Sequence, residues 1–220
     1  MTIASIRVYR DLLDGNRRWA EATRALLRAR GWTLVNMIGA PGSGKTALLE
    51  ALARALPDRR TWAVIEGDCA TTRDAERLRA AGLTASQILT GDGCHLTAAT
   101  VHQALCDLPF APRTLVLVEN VGNLVCPASC DLGEDAKIAV LSVTEGEDKP
   151  LKYPILFRVA RAVVLSNTDL LPHLRFSLDR CRAALRQVNA AAPVFELSAK
   201  TGAGVPAFAD WLCAAPPAGT

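Results

Sequence analysis

Eight consecutive residues constrain this chain more than any others. Gly39-Ala40-Pro41-Gly42-Ser43-Gly44-Lys45-Thr46 follow the apolar run Thr33 to Ile38 and open a segment of helical period, Lys45 to Leu56, stopped by Pro57. A strand, a glycine loop ending in Lys-Thr and a helix, in that order, form the context in which such a loop binds phosphate. The glycines let successive backbone N–H groups turn toward one point, and the helix N-terminus adds its positive end. In this arrangement Gly39 to Gly44 cradle the phosphates, Lys45 reaches the β and γ oxygens, and the Thr46 hydroxyl holds Mg²⁺. A glycine-rich turn beside a solvated lysine is the bland alternative, and the agreement of the loop with both flanking elements argues against it.

The rest of the chain continues the same rhythm. Strand-length apolar runs recur at Thr61 to Ile65, Thr114 to Val118, Ile138 to Val143, Ala162 to Leu165 and Pro193 to Leu197, which with Thr33 to Ile38 predicts six strands. Helical periods lie around them at Asp11 to Arg30 (closed by Gly31), Thr72 to Ala81 (closed by Gly82), Leu96 to Leu108 and Leu174 to Asn189. This alternation predicts an α/β fold of the P-loop NTPase type, a mostly parallel sheet covered by helices on both faces. Residues 1–213 read as one domain with an N-terminal helix, and 214–220, with Pro216-Pro217, as a disordered tail. Glu119 to Glu134 reads as a long loop at a strand end, where parallel sheets place their ligands.

Composition narrows the class. With 220 residues, half of them apolar, the chain can bury a core without staples, so its seven Cys imply free thiols in a reducing compartment. Met1 to Arg7 meets charge with no apolar signal segment, and no run approaches the ~18 apolar residues of a membrane span, so the cytoplasm is the expected location. A net charge of +3, scattered along the chain, argues against nucleic-acid binding.

Residues after the later strands point to the base. Ser166-Asn167-Thr168-Asp169 follows Ala162 to Leu165, and Ser198-Ala199-Lys200 follows Val194 to Leu197. They resemble the Asn-Lys-x-Asp and Ser-Ala-Lys elements of GTPases, in which a carboxylate accepts a bidentate pair from guanine N1–H and N2–H₂ that adenine cannot donate. Thr168 departs from the pattern, removing a long stem that would cover the base, while Asp169 keeps the preference. Alone, Asn167 to Asp169 is equally an Asx-type turn. Glu119-Asn120-Val121-Gly122 follows Thr114 to Val118 and supplies an acidic residue and a glycine suited to sensing the γ-phosphate. Asp68 is a second carboxylate at the same sheet edge, so Thr46, Asp68 and Glu119 are the candidate Mg²⁺ residues. No arginine finger or water-orienting Gln is identifiable in these motifs.

A second metal site is suggested by Cys94-His95, immediately before a helix, and Cys126 in the long loop. Thiolate and imidazole suit Zn²⁺ and Ni²⁺, and a helix N-terminus favours the Cys94 thiolate. By spacing alone this signal is weak, since no C-x₂-C pair exists and a Cys-His in a loop is more often structural. Cys130 is either a further ligand or a filler of an apolar gap, with the filler favoured. Cys106, Cys181 and Cys213 fall on apolar helix faces and read as packing, and His102 reads as a surface residue.

The surrounding blocks are more specific. Gly91-Asp-Gly-Cys-His95, Glu119-Asn-Val-Gly-Asn-Leu-Val-Cys-Pro127, Ser142-Val-Thr-Glu-Gly-Glu-Asp-Lys-Pro-Leu-Lys-Tyr-Pro154, Glu66-Gly67-Asp68 and Ser198-Ala-Lys-Thr-Gly202 resemble the HypB family, the nickel-incorporation GTPases of NiFe-hydrogenase maturation. The likeness runs from about Asn16 to Leu212. It implies hydrolysis of GTP to GDP, a homodimer when GTP is bound, Ni²⁺ or Zn²⁺ held at the dimer interface by Cys94, His95 and Cys126, and nickel passed to a hydrogenase large-subunit precursor alongside other maturation proteins. Thr168, Cys69 and Cys130 depart from the family pattern, and the sequence contains no Cys-rich N-terminal segment and no His-rich tract. Two rivals remain at this stage. A P-loop kinase or ATPase would leave Asp169 and Ser198 to Lys200 idle, and a nucleotide-gated metal-binding scaffold would show little catalysis. An accessory GTPase of another metalloenzyme fits Val143 to Pro150 poorly.

Overall fold

The computed structural model describes residues 3–55, 61–109, 111 and 113–214. The first half runs α1 Ile3–Arg30, β1 Thr33–Gly39, α2 Lys45–Ala55, β2 Trp62–Asp68, α3 Arg73–Ala80, β3 Thr84–Leu89, α4 Ala98–Asp107 and β4 Leu115–Glu119. The second half runs α5 Cys126–Ser129, β5 Ala136–Ser142, α6 Lys149–Lys152, α7 Pro154–Val159, β6 Ala162–Ser166, a 3₁₀ segment Thr168–His173, α8 Leu178–Val188, β7 Val194–Glu196 and α9 Val205–Ala214.

The strands form one seven-stranded sheet in the order β3-β2-β4-β1-β5-β6-β7, with every pair parallel. A parallel sheet is covered on both faces, which is why β1 and β4 are mostly apolar and are buried along their whole length, Asn36 and Glu119 included. Alternate β1 side chains serve opposite layers. Val35 and Met37 pack with Leu48 and Leu52 of α2 and Phe208 and Leu212 of α9, whereas Leu34 packs with Leu27 of α1 and Leu105 of α4. On that second face, beyond Ile38, Leu156 and Phe157 of α7 and Leu185 of α8 close the core.

Among the described residues seven strands stand where six were expected. The extra strand, β3, is Thr-Ala-Ser-Gln-Ile-Leu at the sheet edge, nowhere fully buried, so it lacks the apolar run that marks the others. Helix starts also differ. Leu96 lies outside α4, because Thr97 caps the helix by accepting from the Thr100 N–H at 3.3 Å, and Leu96 instead fills the core. Leu174 to Ser177 lie outside α8, whose first turn is closed by the Arg180 N–H donating to Ser177 Oγ at 3.3 Å. The expected loop Glu119 to Glu134 contains α5, and α9 follows where no helix was expected. The expected stop at Leu56-Pro57 and most of the expected tail lie outside the described residues. Among those described, no helix is long and apolar enough to cross a membrane.

Candidate nucleotide and metal site

The glycine loop joins the C-terminal end of β1 to α2. Gly42 and Gly44 have φ of +75° and +87°, conformations costly for other residues, which turn the loop back on itself. A β-carbon at Gly39 would meet Ser43 Oγ and the Val140 carbonyl at 2.5 Å, so the cradle is packed against β5. Lys45 is buried, its Nζ donating to the Gly39 and Ala40 carbonyls at 3.2 Å each. Burial lowers its pKa, against the pull of Glu119. Thr46 Oγ1 donates to Glu119 Oε1 at 2.7 Å, so two of the expected Mg²⁺ residues already touch. The other oxygen, Glu119 Oε2, is buried with no hydrogen-bond partner among the described residues, which suits a hydrated cation. Burial pushes the Glu119 carboxyl up to about 7.

Asp68, the third expected Mg²⁺ residue, lines the same cleft as that pair. Its Oδ1 accepts from the Ala70 and Thr71 N–H groups at 2.7 and 3.0 Å, and its carboxylate clusters with Glu66 and Asp74, the ligand atoms lying within 4.8 Å of one another. All of these carboxylates face a cleft of about 410 Å³ that the glycine loop also lines. Glu66, inside β2 and paired in register with Glu119, is pushed up to about 8, first by burial and then by Glu119, Asp68 and Asp74. Arg77 of α3 also lines the cleft, although no motif announced it. Glu50 grips its guanidinium at 3.0 Å through two bonds, and Asp74 accepts a third at 2.8 Å.

The guanine candidates lie beyond β6 and β7. Asn167 adopts φ +58°, ψ +32° and donates through Nδ2 to Ser142 Oγ at 2.9 Å. The same amide packs against Gly44, so Asn167 braces the phosphate loop. Asp169, at the start of the 3₁₀ segment, accepts from buried Ser198 Oγ at 2.6 Å, which joins the two sequence elements physically. Ala199 is half-buried and Lys200 is exposed.

Cys94, His95 and Cys126 converge, with ligand atoms within 4.8 Å of one another. Cys94 and His95 lie in the loop before α4, and Cys126 opens α5. Two asparagines hold these loops together. Asn120 Oδ1 accepts from the Leu96 N–H at 3.2 Å, and Asn123 Nδ2 donates to the Cys94 carbonyl at 3.4 Å. Sequence reasoning missed Glu66, Asp74, Arg77, Asn120 and Asn123 as contributors. A charged residue inside the otherwise apolar β2 was the one available signal, for Glu66.

Several thiol and histidine expectations change. The Cys94 pKa is raised rather than lowered, first because its thiol shares a hydrogen bond with Cys126 and then through desolvation. Cys130 packs in the core beneath α4, its Sγ donating to the Leu96 carbonyl at 3.5 Å, and burial pushes it up to about 11, consistent with a filler. Cys181 is buried and Cys213 half-buried as expected, but Cys106 is exposed on the outer side of α4. His102 is half-buried against α1, its ring tilted at 51° to that of Trp19 with the centroids 5.2 Å apart. Exposed Cys69 lies beside the Cys94 loop, its Sγ 3.7 Å from the Gly93 carbonyl.

Comparison with known proteins meets this geometry. The CobW/HypB/UreG nucleotide-binding domain matches residues 33–196. The hydrogenase maturation factor HypB of Escherichia coli K12 is 49% identical over 202 residues, covering 92% of this chain and 70% of that protein. The chain belongs to the HypB family. The crystal structure of HypB from Helicobacter pylori in complex with nickel superposes with a TM-score of 0.85 at 37% identity, over 90% of this chain and 93% of that one. HypB from Archaeoglobus fulgidus gives 0.84 at 38% identity, over 91% and 98%. The HypB family thus accounts for the nucleotide-binding fold and for the cradle, and places the chain among hydrogenase maturation factors.

Proposed function

We propose that this chain, through one domain spanning 1–213, hydrolyses GTP in the cytoplasm and carries nickel for insertion into a NiFe-hydrogenase large-subunit precursor. The observation that carries the reading is the meeting of Cys94 and His95, from the loop before α4, with Cys126, on the turn that starts at Glu119, a residue lining the cleft of the glycine loop. A soft thiol and imidazole set suits Ni²⁺ or Zn²⁺ as cargo. The nickel complex of the 37% identical Helicobacter pylori relative supports it.

In this reading Gly39 to Gly44 and Lys45 bind the phosphates, Thr46, Asp68 and Glu119 hold hydrated Mg²⁺, Gly122 senses the γ-phosphate, and Asn167, Asp169 and Ser198 to Lys200 read guanine. Cys94, His95 and Cys126 of one chain offer three ligands, one short of a tetrahedral or square set, and a two-fold dimer supplies the remainder. Cys94 is exposed, as an interfacial ligand must be. The partners are therefore a second copy and the maturation proteins that feed and receive the metal, with no nucleic acid and no membrane.

The test is Ni²⁺ titration of nucleotide-free and GTP-analogue-bound protein with solution mass measured throughout. Dimer formation with the analogue and metal binding lost in Cys94→Ala are expected. A monomer in both states, or full affinity in that variant, overturns the reading.

A further inference from the structure

Asn16, on α1, touches both of the polypeptide segments that carry the thiol and imidazole groups. Its Oδ1 accepts from the Ala98 N–H at 2.9 Å, and its Nδ2 donates to the Asp131 carbonyl at 2.7 Å. Ala98 opens α4 just after Cys94 and His95, and Asp131 follows the short helix that begins at Cys126. The two bonds fix the amide's orientation, because a backbone N–H can only donate and a carbonyl can only accept. Further along α1, Arg24 grips the Asp131 carboxylate at 2.7 and 2.9 Å. Beside the amide, Cys130 Sγ packs 3.8 Å from Asn16 Oδ1 and 3.5 Å from the Leu96 carbonyl, closing the gap between the segments. One half-buried side chain of α1 is shared by two segments that are distant in sequence and that no disulfide joins.

We propose that Asn16 is a positioning residue for the thiol and imidazole site, its amide holding the Cys94-His95 segment and the Cys126 segment at the separation where their ligand atoms meet. This role rests on Cys94, His95 and Cys126 being the metal ligands proposed above. Sites carried on loops keep their geometry only where packing and outer hydrogen bonds hold them, and loss of an outer support lets the ligands drift apart. Here the support comes from two sides. Asn120 and Asn123 tie the Cys94 loop to the turn after Glu119, whose first residues line the nucleotide cleft. Among the described residues, α1 contributes none to that cleft. Asn16 therefore sets how tightly metal is held in every nucleotide state, while the asparagine pair transmits the change of state.

Ni²⁺ is titrated into wild type and variants, without nucleotide, with GDP and with a non-hydrolysable GTP analogue, and followed by the thiolate-to-nickel charge-transfer band. Asn16→Ala, which removes both bonds, should weaken Ni²⁺ about tenfold, by the same factor in all three states, and change the band. Affinity for the GTP analogue, measured without Ni²⁺, should stay at the wild-type value. Asn16→Asp keeps the side chain's volume and the acceptor for Ala98 and lacks only the donor. It should weaken Ni²⁺ as well, and it keeps the test valid if the alanine variant folds poorly. Leu27→Ala, which removes buried volume from the same helix and leaves the amide in place, should lower the melting temperature with Ni²⁺ affinity unchanged. Wild-type affinity and band in both Asn16 variants overturn the role of Asn16 and leave the metal reading standing. An equal Ni²⁺ loss in Leu27→Ala, or GTP-analogue affinity that falls in step with Ni²⁺, overturns it too, since either shows α1 acting through stability alone. Absence of Ni²⁺ uptake by the wild type overturns the metal reading and the role of Asn16 with it.

Discussion

Gly122 lies so close to Pro41 that a β-carbon on it would fall 2.8 Å from the proline Cγ and 2.9 Å from the proline nitrogen. The phosphate loop and the turn leading to Cys126 are therefore in direct backbone contact, with no side chain between them. Gly122→Ala must push one of the two away, at about 1–3 kcal/mol. We expect a lowered melting temperature and a loss of nucleotide-dependent metal affinity, with basal metal affinity kept because Cys94, His95 and Cys126 are untouched. Comparing Ni²⁺ affinity with GDP and with a GTP analogue in this variant checks it, and a wild-type difference between the two states counts against contact-borne coupling.

In the unsubstituted chain the same comparison measures the coupling itself. Linkage requires nucleotide and metal to affect each other equally, typically by about 1–3 kcal/mol. Asn120 and Asn123 tie the Cys94 loop to the residues after Glu119, so hydrolysis that moves this turn should strain the cluster. Asn123→Ala is expected to shrink the difference in Ni²⁺ affinity between nucleotide states. An equal affinity in both states of the wild type would remove the switch from the proposed function.

Base selectivity should depend on Asp169 and on the hydroxyl that orients it. Asp169→Asn is expected to weaken GTP by on the order of 1.5 to 3 kcal/mol, the scale of a charge-assisted pair. Ser198→Ala removes the 2.6 Å donor to Asp169 Oδ1 and should weaken GTP by less, since the carboxylate survives. Thr168→Lys, restoring the long stem, should tighten it. Competition of a fluorescent guanine nucleotide by GTP and ATP reads all three, and equal displacement by both nucleotides would sink the guanine assignment.

Turnover should be slow, on the order of 10⁻⁴ to 10⁻² s⁻¹, the range of GTPases without an arginine finger from a partner. Lys45→Ala should abolish it. The side chain donates to loop carbonyls and does not fill the core, so the circular dichroism spectrum should be unchanged. Phosphate release persisting in that variant would mean that the activity comes from elsewhere.

The two buried carboxyls make stability depend on pH. Glu66 rises to about 8 and Glu119 to about 7 from an ordinary 4.5. The folded chain keeps protons that the unfolded chain has already released, so their contribution is full below about pH 4.5 and is lost as pH rises through 7 and 8. Nucleotide-free, chelator-treated protein should therefore have a lower urea midpoint at pH 9 than at pH 6. In Glu66→Gln, which is neutral throughout, the drop should be smaller. An identical drop in the variant would show that Glu66 ionises without cost.

The phosphate loop, six of the seven strands and the Cys94, His95 and Cys126 blocks are local features of the sequence. Eight glycine-loop and helix positions in a row, or a mostly apolar run doubly buried in a parallel sheet, carry their structural meaning in neighbouring residues. β3 did not, because an edge strand with one half-covered face needs no apolar run and is defined by its pairing with β2. Cys106 shows the limit of helix periodicity, which places a residue on an apolar face but not at the face's edge. Tertiary structure alone decided that Glu66 stands opposite Glu119, that Arg77 reaches the cleft, and that Asn120 and Asn123 tie two loops together. These relations depend on strand register and on side chains distant in sequence meeting in a low-dielectric interior. No local pattern encodes that register, and the energetics of a buried carboxylate exist only once the sheet has removed it from water.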